Sequence, residues 1–145
     1  MKRFIFKELL VIILIVSNIA CVKEKSGDAD AFVGTYNVST IENVVWGSGS
    51  GTLADNGILY ISKISSTRVK ASGYFNTEGE VVGKSLYLNS KTDSDPSFGT
   101  ITTSFSEGIL NGNVLTISTV SSGQLGENGV LYPYRATAQH TCIKQ

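Results

Sequence analysis

The sequence predicts an all-β fold: an antiparallel up-and-down meander closing into a barrel of about eight strands. Three observations lead there. Beyond residue 31, apolar side chains recur at every second position and in no 11-residue window at a convincing 3.6-residue spacing, the mark of half-buried strand. Glycine-containing turn dipeptides punctuate these stretches. The chain from Cys21 onward is also rich in Gly, Ser, Thr and Asn, a strand-and-turn composition. A β-sandwich is the alternative, without the Cys…Trp…Cys core of the immunoglobulin type.

Seven strands are expected, near 33–46, 52–64, 67–76, 79–91, 98–109, 113–123 and 129–143, and short pieces around Leu53 or Leu125 raise the count to eight or more. Tyr36, Val38, Val44 and Trp46 share a parity, as do Ile58, Tyr60 and Ile64. Val69, Ala71 and Phe75 follow, then Leu86 with Leu88, Ile101 with Phe105 and Ile109, and Leu115 with Ile117. The last stretch is the cleanest, with Val130, Tyr132, Tyr134, Ala136, Ala138, His140 and Cys142 on one side. Asn56-Gly57, Asn111-Gly112 and Asn128-Gly129 are hairpin dipeptides, because a type I′ turn needs φ > 0 at both central residues; Gly83-Lys84 is placed similarly. A meander of this kind must close on itself or cover its edges.

The 145-residue chain is formally neutral, with 12 basic and 12 acidic residues, which argues against the basic surplus of a nucleic-acid binder. One His and two Cys cannot make a Cys/His-rich zinc site. The averages mix two unlike segments. Residues 1–20 read as a signal peptide: Lys2, Arg3 and Lys7 lead an apolar run from Leu9 to Val16, too short to span a bilayer. Ile19-Ala20-Cys21 then resembles the lipobox of bacterial lipoproteins, with Asn18 where that family usually has Leu. The resemblance implies a Cys21 thiol linked to diacylglycerol, an N-terminal anchor in membrane lipid, and a place in the cell envelope, at the outer membrane. An unmodified Cys21 would instead leave a Cys21–Cys142 disulfide open. Residues 21–31, polar and without periodicity, are expected to be a flexible tether of roughly 17–19 Å reach.

Residues 32–145 are then the β-barrel domain. Phe32-Val33-Gly34-Thr35-Tyr36 resembles the opening of the calycins, the lipocalins and fatty-acid-binding proteins, whose first strand begins Phe-x-Gly-x-aromatic. The resemblance implies a lipocalin-like barrel closed by an Arg packed across that aromatic, here Arg135 on Tyr36, worth about 1 kcal/mol. The lipocalin helices, the Thr-Asp-Tyr motif and the Arg-x-Tyr carboxylate clamp have no counterpart.

Catalytic chemistry finds little footing, and no enzyme or cofactor is expected. His140 would have to serve as the base of any triad, but Gly47-Ser48-Gly49-Ser50-Gly51 has Gly where a nucleophile elbow has Ser. The same run lacks the helix that would make it a phosphate cradle, and reads as an interstrand loop. Asp93-Ser94-Asp95-Pro96 reads as a turn rather than a calcium loop. Glu42 and Glu107 have no spacing that brings them into one glycosidase cleft. The aromatic residues carry the functional expectation. Tyr36, Trp46, Tyr60, Phe105, Tyr132 and Tyr134 would line a cavity for a small hydrophobic ligand. The alternative is a surface interaction module recognising glycan or protein through loops such as 47–51 and 91–97. It predicts a packed core and an exposed aromatic patch near Trp46. A monomer is expected in either case.

Overall fold

The computed structural model describes residues 28–127 and 129–145. The expected signal peptide, Cys21, the tether as far as residue 27 and Asn128 lie outside the described residues. One short helix, α1 (Ala29–Phe32), precedes ten antiparallel strands: β1 (Gly34–Trp46), β2 (Gly49–Lys63), β3 (Arg68–Gly73), β4 (Thr77–Val82), β5 (Ser85–Leu88), β6 (Lys91–Asp95), β7 (Gly99–Phe105), β8 (Gly108–Asn111), β9 (Val114–Glu127) and β10 (Val130–Lys144). Eight of them close a ring in the order β1-β2-β3-β4-β5-β8-β9-β10, because β10 pairs with β1 on one side and β9 on the other.

The ring interior follows the sequence alternation on most strands. Tyr36 and Val38 of β1, Val69 and Ala71 of β3, Leu86 and Leu88 of β5, Leu115 and Ile117 of β9, and Ala136, Ala138 and Cys142 of β10 are buried. On β2 the expected parity is reversed. Leu59 and Ile61 point inward, while Ile58, Tyr60 and Ile64 face solvent. The stretch Ile58-Leu59-Tyr60-Ile61 is apolar on both parities, so alternation does not choose a face; pairing of Tyr36 with Leu59 does.

Two expected strands break. Gly83, at φ 61°, turns the chain between β4 and β5, and the expected 98–109 strand divides into β7 and β8. Both halves lie against β9, but Phe105 pairs with Thr119 and Ile109 with Thr116, so one extra residue enters between them. The bulge is held by Ser106, whose N–H and Oγ both donate to the Ser118 carbonyl. An inserted residue flips the parity beyond it. Gly108 and Leu110 therefore face the interior, and Ile109, expected inside, is outside.

Only six residues each, β3 and β4 stop early. β5 and β8 have only four residues each, and beyond these four strands the remaining six run on as an open sheet in the order β6-β7-β9-β10-β1-β2. Asn56-Gly57, expected to be a turn, lies within β2, and the Tyr74 ring packs so closely on Gly57 that a Cβ there would sit 2.4 Å from it. The turn from β1 to β2 is Gly47-Ser48 alone, with Gly49–Gly51 already in strand, which shortens the expected 47–51 loop.

The opposite end of the ring is closed by α1. Residues 28–31, expected as tether, are folded against it: Ala29 and Phe32 are fully buried, Gly83 N–H donates to Asp28 Oδ2 at 2.9 Å, and Lys63 pairs with Asp30 at 2.9 Å. Four residues give periodicity nothing to detect, and burial of Phe32 in the ring holds this turn of helix in place.

Candidate functional site

Phe32, Gly34 and Tyr36 form the helix-end plug. Tyr36 Oη donates to the Phe32 carbonyl at 2.7 Å, and burial, then Cys142 beside it, pushes its pKa up to about 12. The cation over the Tyr36 ring is Lys144, at 5.9 Å, not Arg135. Ring closure decides this: Tyr36 pairs with Lys144, whereas Arg135 pairs with Val45 near the far end of β1. Gly34 makes room, since a Cβ there would meet Lys144 Cε at 2.5 Å, and Lys144 Nζ then donates to the Ala31 carbonyl at 3.1 Å.

Midway along the ring sits a polar layer. His140, 4 % exposed, holds Thr40 Oγ1 on Nδ1 at 2.8 Å and Thr119 Oγ1 on Nε2 at 2.9 Å. Edge contacts from Tyr74 and Phe75, at 5.7 and 4.9 Å, enclose the imidazole, and Phe105 packs on Phe75. Burial pulls the His140 pKa down to about 4. Among the described residues the imidazole is hydrogen-bonded only to hydroxyls and meets no carboxylate, the surroundings of a packed core group. The Cys142 thiol, pushed up to about 12 by burial, is likewise inert.

Local structure accounts for Asp95 and Glu107. Asp95 Oδ1 accepts from Ser97 N–H and Phe98 N–H, the turn expected before Pro96. Glu107 accepts from Ser85 and Tyr87 hydroxyls on the ring's outside, while Glu42 lies on the open sheet, so the two do not form a pair. Among the described residues no cluster of His, Cys, Asp and Glu is placed to hold a metal ion.

The six aromatic residues expected to line one cavity therefore separate into three places. Tyr36 and Phe105 belong to the packed interior, and Tyr60, 49 % exposed, is on the ring's outer face. Trp46, Tyr132 and Tyr134 come together on the inner face of the open sheet, the face continuous with the ring interior. Trp46 and Tyr132 meet edge to face at 6.1 Å and stay 38 % and 37 % exposed. Burial, then the Glu42 carboxylate, raises the Tyr134 hydroxyl above its ordinary pKa. Val44, Trp46, Gly49, Gly51 and Leu53 line a groove of about 260 Å³ beside them. A second groove, of about 250 Å³, lies near the other edge between Asp93, Phe98, Ile101 and Leu125.

Sequence reasoning missed Leu53 and Val44 as part of this surface. The signal was present, since Val44 and Trp46 share a parity and pair with Gly51 and Gly49, two positions that cannot cover them. Among the described residues no helix is long and apolar enough to cross a membrane. Compared with known proteins, the chain matches no family model, no curated protein and no solved structure.

Proposed function

We propose that this chain is a lipid-anchored protein of the bacterial cell envelope that docks a partner protein on its open sheet, the ring being a small lipocalin-like barrel that serves as a rigid base. The observation that carries the reading is the uncovered inner face, where Trp46, Tyr132, Val44 and Leu53 stand side by side on a hydrogen-bonded ladder. Exposed apolar surface gathered in one place, with aromatic residues at its centre, is what protein interfaces use. The groove lining is apolar, which favours protein over glycan.

The anchor is supported by Ile19-Ala20-Cys21 and by the position of Asp28. Residue 28 is fastened at the helix end, so a lipid on Cys21 would hold that end toward the bilayer. The open sheet then faces away, since the 13 residues of β1 span roughly 40 Å. The barrel reading is supported by closure of eight strands and by the Phe32-Gly34-Tyr36 plug.

A small hydrophobic ligand is the weaker reading. Phe32, Tyr36, Leu59, Leu86, Leu115 and Ile117 fill the interior, and the Trp46 groove falls below the roughly 300–1,000 Å³ of ordinary ligand pockets.

Two measurements test the proposal. Radiolabelled palmitate is expected to enter the protein and to be lost in Cys21→Ala; no incorporation removes the anchor. A photo-crosslinking residue at Tyr132 is expected to give one discrete protein adduct in intact cells, lost on Trp46→Ala and absent when the probe replaces Gln139. Equal crosslinking from both positions removes the docking face.

A further inference from the structure

The geometry points to strand addition at β2 as the way the partner docks, a deepening that rests on the docking reading above. The occupant is an extended segment of the partner, antiparallel to Gly49–Asn56, with one basic and then two apolar side chains at alternate positions.

The backbone of β2 is open along this stretch. β3 pairs with β2 only from Leu59 to Lys63, and beyond that β2 pairs with β1 alone. Tyr74 N–H donates to the Ile58 carbonyl, which sets the alternation: even-numbered residues of β2 aim their N–H and C=O away from β1. Ser50, Thr52 and Ala54 thus present a ladder with no backbone partner among the described residues. It ends at Asn56, whose N–H is taken by Asp55 Oδ1 at 2.8 Å.

The two edges of the open sheet differ in how they are protected. β6 is five residues long, carries Lys91, Asp93 and Asp95 with Lys91 paired to Asp93 at 2.9 Å, and runs into Pro96. Short length, charge and proline are the devices that keep an edge from pairing. Gly49–Asn56 has none of them apart from Asp55.

Gly49 and Gly51 pair with Trp46 and Val44, and a Cβ on Gly51 would meet nothing within 4 Å. A strand beside β2 sends every second side chain to this same face. Two apolar side chains there enter the notch left by the glycines and lie on Val44, Trp46 and Leu53. Glu42 stands opposite Leu53, and one step nearer the ring is Asp55, whose Oδ2 accepts from the Tyr74 hydroxyl at 3.2 Å; neither carboxylate is in an ion pair among the described residues, and together they select a basic residue.

The test uses the full-length protein in detergent and a fluorescein-labelled heptapeptide, Thr-Lys-Thr-Leu-Thr-Val-Thr. Anisotropy is expected to saturate with a Kd between about 1 μM and 1 mM, with a parallel shift in emission from Trp46, the sole Trp. Replacing the peptide Lys by Glu, or N-methylating the two Thr beside Leu, weakens binding at least about tenfold. Ala54→Pro does the same while circular dichroism is unchanged, because it removes an N–H that β1 does not use. Asp55→Asn, which keeps the bond to Asn56 N–H, narrows the Lys-over-Glu preference. Absence of saturable binding overturns the inference. So does binding that survives Ala54→Pro but is lost in Trp46→Ala; that result leaves the docking face standing without strand addition. Concentration-dependent dimers abolished by Ala54→Pro also overturn it, since a second copy would then take the edge.

Discussion

Acid is expected to loosen this fold at one identifiable residue. His140 is neutral in the ring interior, with both ring nitrogens occupied by threonine hydroxyls and aromatic edges around it. Its pKa falls from the model-peptide value of 6.5 to about 4 because burial disfavours the imidazolium. Between these two values the unfolded chain takes up a proton that the folded chain refuses, so stability is intact above pH 6.5 and declines as the pH falls toward 4. A difference of this size is worth on the order of 1 kcal/mol at pH 5.5 and on the order of 3 kcal/mol at pH 4. Urea unfolding of the wild type and of His140→Gln across pH 7.5 to 4 isolates the effect, because the carboxylates titrate in both. The wild type is expected to lose about 3 kcal/mol more than the variant over that range. Parallel stability curves would refute the assignment of His140 as a buried neutral group.

Three further outcomes follow from the packing. Phe32→Ala is expected to cost about 3–5 kcal/mol in chemical denaturation, since it empties a fully buried site at the helix end; a loss below about 1 kcal/mol would mean that α1 does not close the ring. Lys144→Met is expected to cost about 1 kcal/mol, through the Tyr36 ring and the Ala31 carbonyl, while Arg135→Met stays within about 0.5 kcal/mol, and the reverse ranking in thermal unfolding would restore Arg135 as the closing residue. Cys142 is expected to resist a thiol reagent at pH 8 in native protein with Cys21 replaced by Ala, and to react fully in urea; fast native reaction would contradict its burial.

Fold class and much of the strand pattern were legible because one physical rule, alternation across a half-buried sheet, governs most of the chain. The rule succeeded where one parity is plainly polar, as from Ala136 to Cys142, and failed at Ile58–Ile61, where both parities are apolar and the partner strand decides. Ile109 was misplaced because a bulge at Ser106 shifts the phase by one residue, and no composition signal marks a bulge. The Phe32-Gly34-Tyr36 motif was legible, but its cation was not. Choosing between Lys144 and Arg135 requires the register in which first and last strands meet, a long-range property. The candidate site was half legible: Trp46 and the glycines stood out, whereas the free edge of β2 depends on how early β3 stops.

Closure of the ring through β1 and β10 also sets how the chain acquires its structure. Eleven residue pairs from Tyr36–Lys144 to Trp46–Tyr134 join the two extremes of the folded sequence. Such pairings are the last to become affordable entropically, which places folding in the millisecond-to-second range of high-contact-order β proteins. While the C-terminal strand is still being delivered, β1 and β9 each lack a neighbour, so a chain moving N-terminus first stays unlocked until its final residues arrive. The last strand is a latch, and a truncation ahead of Val130 unzips two seams at once.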